Sequence, residues 1–164
     1  FKMKFMIAIT TIFFGSMVAA FIWLFIKSNL IFEMEFIALL LTSFLFGGML
    51  LFSVGFGTLS FKFLEASVAR AFIRKTFPYF YGYVISVSAL IVLFSLNICN
   101  IIAALAFSIF ITTIPTTRVL MPAINKASDA KQKRNFVLLH TVSVFITLLH
   151  ITVSAILLYL IFTV

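Results

Sequence analysis

Two histidines stand ten residues apart in an apolar stretch near the end of the chain, "FVLLHTVSVFITLLHITVSAILLYL" at 136–160. Imidazoles at membrane depth can bind a metal, relay protons or bond to neighbouring helices. At about 100° per residue, both histidines share one face of a helix with three hydroxyl side chains. This candidate buried polar face consists of His140, Ser143, Thr147, His150 and Ser154.

The chemistry open to these histidines is restricted by their separation and by the rest of the sequence. A rise of about 1.5 Å per residue puts the two about 15 Å apart along the axis, too far to share one metal ion. All four carboxylates lie outside the apolar runs, and Cys99 is the only cysteine. We therefore predict no catalytic, metal or cofactor-binding site. A hydrogen-bonded helix contact is the favoured interpretation of His150, and a proton relay, a haem or quinone contact, or a polar gate is the alternative.

The elements that position this face are apolar helices. The chain has 164 residues, of which 64% are hydrophobic and 10% charged, a composition that needs lipid as its solvent. A bilayer core requires about 20 apolar residues per helix. Five runs reach this length, so we predict an all-α polytopic membrane bundle of five transmembrane helices, at 5–26, 36–60, 77–96, 98–117 and 137–163.

The first predicted helix stands apart from the others. Its apolar run exceeds the usual 7 to 15 residues of a signal peptide, so we expect it to be retained. Residues 1–35 then form an extra N-terminal helix with an outer loop, and 36–164 form a four-helix core. Within that core, the short "SLNICN" connection predicts that the third and fourth spans are antiparallel neighbours.

The distribution of cations predicts the orientation. Of the twelve Lys and Arg residues, all but Lys27 fall at the N-terminus or in the second and fourth loops. Five spans place these regions on one side, and positive loops remain in the cytoplasm. We therefore predict a cytoplasmic N-terminus in a bacterial inner membrane. The net charge of +8 follows from this topology, and nucleic acid is not an expected partner.

Two cytoplasmic loops are predicted from their composition. The loop at 61–76 alternates apolar and basic residues at helical spacing, which predicts a short amphipathic helix lying in the interface, with Pro78 in the first turn of the next span. The loop at 118–136 is polar, and Pro122 is expected to break any straight extension of the fourth span. Anionic lipid headgroups are the expected partners of Lys62, Arg70, Arg74 and Lys75.

Small residues predict where helices approach closely, because lipid gives helices no hydrophobic reason to associate. The predicted packing positions are Gly15, Ala19, Ser43, Gly47, Gly48 and Gly55. A second small or polar seam recurs every four residues on the fourth span, at Asn100, Ala104, Ser108, Thr112 and Thr116.

Three segments together resemble a known family. They are "LLLTSFLFGGMLLFSVGFGTLSFKFLEASVARAFIRKTFPYFYGYVIS" (39–86), "RVLMPAINKASD" (118–129) and "FVLLHTVSV" (136–144). The chain resembles the small integral membrane proteins of the transmembrane protein 205-like group (domain of unknown function 4149). The resemblance covers about 36–163 and implies a four-helix membrane domain without an established reaction. The span at 5–26 is then an addition, and the family pattern usually has amide side chains where Thr147 and His150 stand here.

These features predict a non-enzymatic membrane protein, an accessory or scaffold subunit beside a larger membrane complex. Membrane lipids and other membrane protein subunits are the expected partners. One alternative is a small oligomeric transporter or channel with a polar path along the last helix. A haem or quinone redox subunit is the second alternative.

Overall fold

The computed structural model describes residues 34–163, which form four long helices. Each helix is long and apolar enough to cross a membrane, and this part of the chain contains no strand. The prediction of an all-α chain with several membrane-length helices is therefore confirmed for these residues. The predicted span at 5–26, with Gly15 and Ala19, lies outside them. The helices are α1 (Met34–Phe63), α2 (Ala66–Ser95), α3 (Asn100–Asp129) and α4 (Lys133–Thr163).

The four helices run up and down, because only residues 64–65, 96–99 and 130–132 connect them. The side-chain amide of Asn97, in the connection between α2 and α3, lies 3.7 Å from the sulfur of Met34 at the start of α1. The expected antiparallel pairing across "SLNICN" is confirmed. The ends of α1 and α3 and the starts of α2 and α4 thus form one end of the bundle, here called the basic end. All Lys and Arg residues of 34–163 lie at this end or on the helical segments that lead to it. They are Lys62, Arg70, Arg74, Lys75, Arg118, Lys126, Lys131, Lys133 and Arg134.

Each helix packs against two others, in the cyclic order α1, α2, α3, α4. On α1 the buried residues Ala38, Thr42, Leu45 and Met49 recur every three or four positions and form one stripe toward the bundle. They meet a core drawn from all four helices, with residues such as Ile109 and Leu157 fully buried. Close packing of this kind supplies dispersion contacts that lipid chains provide less well.

The predicted amphipathic loop at 61–76 is helical but is not a separate element. Its first residues end α1, and its last eleven begin α2, with only residues 64–65 between the two helices. Pro78 therefore lies in the interior of α2 rather than in a first turn. The basic residues lie on helices that extend beyond the apolar runs and do not interrupt them.

The predicted polar loop at 118–136 is also mostly helical, and only residues 130–132 connect α3 to α4. The helix continues through Pro122 to Asp129, so the expectation of a loop beginning at 118 is wrong. Just before this proline, Thr116–Leu120 form a π-helical turn in which the N–H of Met121 donates to the carbonyl of Thr116, five residues back. The wider turn changes the hydrogen-bond spacing where a proline would otherwise leave an i→i−4 bond unmade, so the helix continues.

A second π-helical turn, Leu51–Phe56, places aromatic rings between α1 and α2. Phe52 stacks on Phe80 with ring centroids 4.1 Å apart, and meets the edge of Phe77 at 5.4 Å. Phe52 also stacks on Phe56 at 4.7 Å. Such ring pairs add stabilisation beyond the area they bury and fix the rotation of α1 against α2.

Candidate functional site

The polar face of α4 turns mostly into the bundle. Ser143, His150 and Ser154 are buried and Thr147 is half-buried. His140 is exposed, so its inclusion in the buried face is wrong. It lies at the edge of the arc, about 50° from the mean direction of the other four. Its ring stacks on Phe136 of the same helix, with centroids 5.6 Å apart.

His150 makes an interhelical contact at the middle of α4. Its Nε2 atom lies 2.7 Å from the hydroxyl of Thr112 on α3. That hydroxyl also lies 2.5 Å from the carbonyl oxygen of Ser108, to which it donates its single proton. We therefore assign Nε2 as the protonated nitrogen that donates to Thr112, which leaves Nδ1 as an acceptor. Within residues 34–163, Nδ1 has no hydrogen-bond partner.

The hydroxyls of the same face are largely engaged by the protein. Ser143 lies 3.5 Å from the hydroxyl of Tyr81 on α2. Thr147 donates to the carbonyl of Ser143 at 3.0 Å, and Ser154 to that of Ile151 at 2.8 Å. Donation to a preceding carbonyl is the usual way for a helix to satisfy hydroxyls in an apolar setting. The face therefore contacts α2 through Tyr81 and α3 through Thr112.

The chemistry available to this site is limited. In the portion from 34 to 163, no group of three or more His, Cys, Asp or Glu side chains is placed to hold a metal ion. The nearest polar neighbour of the His150 ring is a threonine hydroxyl whose own proton is donated to a backbone carbonyl. No carboxylate lies on the described part of the α4 face to orient the imidazole as a base. The geometry is that of a hydrogen-bonded helix contact.

The small residues of α1 behave differently from one another. A Cβ atom added at Gly48 would lie 2.8 Å from the Cε1 atom of Tyr83, whose hydroxyl donates to the carbonyl of Phe44. Among residues 34–163, a Cβ added at Gly47 would meet nothing within 4 Å, and Ser43 is exposed.

Gly55 also fails as a helix contact, because an added Cβ would meet Leu51 of its own helix at 3.3 Å. Close approach is therefore realised at Gly48, whereas Ser43, Gly47 and Gly55 make no interhelical contact of this kind within residues 34–163, and their role in packing stays a prediction. Spacing identifies a stripe of small residues, whereas the face that turns toward the bundle carries Ala38, Thr42, Leu45 and Met49.

The predicted headgroup residues all lie exposed at the basic end. Arg74 is already engaged there: its guanidinium bonds both carboxylate oxygens of Asp129, at 2.9 and 3.2 Å. The ammonium of Lys62 lies 5.6 Å from the ring centroid of Phe63, a cation–π distance. Arg70 and Lys75 have no carboxylate partner within residues 34–163.

Three contact residues were not singled out from the sequence as partners of the polar face or of α1. Tyr81 and Tyr83 stand in an apolar run, and a phenol buried there requires a hydrogen-bond partner, which is a usable signal. Thr112 was assigned to a seam, but its pairing with His150 depends on how α3 and α4 align. No sequence spacing within one helix reports that alignment.

The fold and this site define an all-helical protein with four apolar helices of membrane length in its described part. Comparisons with family models, curated proteins and solved structures found no match to this chain. The resemblance of 36–163 to the transmembrane protein 205-like group remains a prediction.

Proposed function

We propose that this protein is a non-enzymatic, multi-pass protein of the bacterial inner membrane, an accessory or scaffold subunit of a larger membrane complex. The observation that carries the proposal is an outward face of α3. Ala104, Ser108 and Thr112 recur there every four residues, and all three are exposed to the surroundings of the bundle. Small and hydroxyl side chains at this spacing allow another membrane helix to approach closely and to form interhelical hydrogen bonds.

The depth of this face supports a protein partner. Ser108 and Thr112 lie near the middle of α3, where a lipid-facing helix usually carries large apolar residues. The Ser108 hydroxyl donates its proton to the carbonyl of Leu105, so its oxygen remains available as an acceptor, whereas the Thr112 oxygen already accepts from His150. A helix from another subunit would cover this face, the outer α3 face, with complementary donors.

Orientation and membership belong to the same proposal. Positive charge at the basic end favours a cytoplasmic location for that end, and a fifth span at 5–26 would make the N-terminus cytoplasmic as well. Membership of the transmembrane protein 205-like group is proposed on the segments quoted above. Neither membership nor topology supplies a reaction.

The test is the composition of the particle extracted in mild detergent from native membranes, measured by native mass spectrometry. We expect stoichiometric foreign subunits with the unaltered chain and their loss in Ala104→Leu/Ser108→Leu, which fills the outer α3 face. Phe107→Leu is the control, because Phe107 is exposed on the same helix but lies about 100° around it from Ser108. A particle without foreign subunits, or equal loss in the control, would refute the proposal.

A small oligomeric transporter or channel is the second candidate, favoured by one observation. The inward residues Ser143, Thr147, His150 and Ser154 form a continuous polar line on α4, and α3 departs from regular helix nearby, at Thr116–Leu120. Irregular helices beside buried polar groups are found in transporters.

Flux into liposomes tests this second candidate. If the inward line conducts, His150→Leu abolishes the flux while His140→Leu, which changes the exposed histidine, does not. Equal flux in both variants removes the α4 face from any path.

A further inference from the structure

The side chain of His150 points from α4 to the outer α3 face, which consists of Ala104, Ser108 and Thr112. The imidazole is 7% exposed, and its Nε2 atom lies 2.7 Å from the hydroxyl of Thr112. Thr112 itself is exposed to the surroundings of the bundle. An almost fully buried polar ring therefore meets the face that the proposed partner helix would cover.

The two ring nitrogens of His150 have different hydrogen-bond states. Nε2 donates to Thr112, whose own proton goes to the carbonyl of Ser108 at 2.5 Å. A neutral imidazole has one N–H, so Nδ1 carries a lone pair and no proton. Within residues 34–163, no donor lies within hydrogen-bond distance of Nδ1. The one fully enclosed side-chain nitrogen or oxygen without a partner in this part of the chain is the Oγ atom of Ser95, so Nδ1 is not sealed inside the bundle.

An unpaired Nδ1 is costly at this position. His150 lies near the middle of α4, which places it in the hydrocarbon core when the helix crosses a membrane. Water is scarce at that depth, and an acceptor without a donor loses the hydrogen bonds that water would provide. A donor on a neighbouring membrane helix would remove this cost.

The outer α3 face offers hydrogen-bond acceptors but no free proton. The Ser108 hydroxyl donates to the carbonyl of Leu105 at 2.7 Å, and the Thr112 hydroxyl donates to that of Ser108. The partner must therefore supply the protons. Serine and threonine on a helix usually donate to their own backbone, as these two do, whereas the carboxamide of Asn or Gln has two N–H groups that its own helix does not need. A carboxamide is thus the donor that fits this face.

We infer that a partner helix on the outer α3 face donates a hydrogen bond from an Asn or Gln carboxamide to Nδ1 of His150. This inference rests on the proposed function, because it requires the partner subunit. It gives the two ring nitrogens separate roles: Nε2 holds α4 against α3, and Nδ1 recognises the partner.

The first experiment is solid-state NMR of the chain labelled with ¹⁵N in its histidine rings, in the complex extracted from native membranes and alone in the same detergent. We expect Nδ1 of His150 to be unprotonated in both samples and to move upfield in the complex, because an accepted hydrogen bond shields it. The exposed His140 is the internal control and should not change.

The outcomes of this measurement distinguish the two proposals. Absence of foreign subunits would refute the proposed function and this inference together, whereas a complex with an unchanged Nδ1 resonance would refute this inference alone. The upfield position already present in the isolated chain would also overturn the inference, because the donor would then not come from a partner.

The second experiment uses two substitutions that separate partner recognition from the contact inside the bundle. His150→Gln places an N–H near the position of Nε2, so it keeps a donor for Thr112 but has no acceptor in place of Nδ1. His150→Asn places its carboxamide oxygen near the position of Nδ1 and is too short to reach Thr112. Retention of the partner on dilution is measured by native mass spectrometry, with His140→Gln as the control.

The two substitutions should affect partner retention unequally. We expect His150→Gln to lower it about threefold to thirtyfold, the range that one interhelical hydrogen bond supports, and His150→Asn to lower it less. Retention in His150→Gln equal to that of the unaltered chain, or a greater loss in His150→Asn, would overturn the inference, because Nε2 would then account for the whole role of His150.

Discussion

Removal of one hydroxyl between α3 and α4 should destabilise the bundle by an amount that the structure allows us to estimate. Thr112→Val keeps the shape of the side chain but deletes the oxygen 2.7 Å from His150 Nε2. Interhelical hydrogen bonds in membranes contribute about 0.6 to 2 kcal/mol. The ring N–H left without a partner adds a desolvation cost, so we expect a loss of about 1 to 2 kcal/mol in the free energy of unfolding.

The neighbouring residue supplies a matched control. Thr113 is buried, and its hydroxyl donates to the carbonyl of Ile109 in its own helix at 2.7 Å. Thr113→Val therefore removes a hydroxyl of the same kind without an interhelical partner and should cost less than about 0.5 kcal/mol, because the backbone carbonyl keeps its helical bond.

The assay is reversible unfolding in bicelles, with a double-mutant cycle between Thr112→Val and His150→Leu. A coupling energy near 1 kcal/mol is expected, because the two side chains interact directly. A coupling energy of zero, or equal losses in Thr112→Val and Thr113→Val, would show that the contact does not hold α3 against α4.

Two further predictions concern helix contacts elsewhere. Gly48→Ala should destabilise the bundle by about 1 to 3 kcal/mol in the same unfolding assay, because its Cβ would overlap the ring of Tyr83. Gly47→Ala, with open space at the added Cβ, should be neutral or up to about 1 kcal/mol stabilising through helix propensity, and a loss comparable to that of Gly48→Ala would contradict this account. Arg74→Gln should cost less than about 1 kcal/mol, because its pair with Asp129 is exposed, and the difference should shrink further at high salt.

The number and positions of the described helices could be predicted from apolar runs because a bilayer imposes a minimum length. Their true ends could not. Residues such as Lys75 and Lys126 suggest loops when hydropathy alone is considered, yet they lie on helices that continue beyond the apolar run. The helix also continues through Pro122, and a π-helical turn at Thr116–Leu120 precedes this proline.

The sequence also did not predict which face of α1 is buried. Ser43 and Gly47 form a stripe that suits close packing, yet the adjacent residues Thr42 and Leu45 are the ones buried. Two stripes on one helix compete, and the competition is decided by what the neighbouring helices offer. On α1 one neighbour is an aromatic surface on α2, where Phe80 stacks on Phe52 and Tyr83 lies against Gly48.

The α4 face illustrates how contacts on two neighbours can position a helix. Ser143 lies against Tyr81 on α2, and His150 against Thr112 on α3, so the two contacts involve different partners. Seven residues separate them, which is about 10 Å along the axis. One polar contact would leave α4 free to pivot about it, whereas contacts with two helices at two heights restrict both rotation and sliding. A histidine suits the deeper contact, because its ring reaches farther from the helix axis than a serine or threonine hydroxyl does. This geometry favours a positioning role for His150, and the double-mutant cycle measures that role directly.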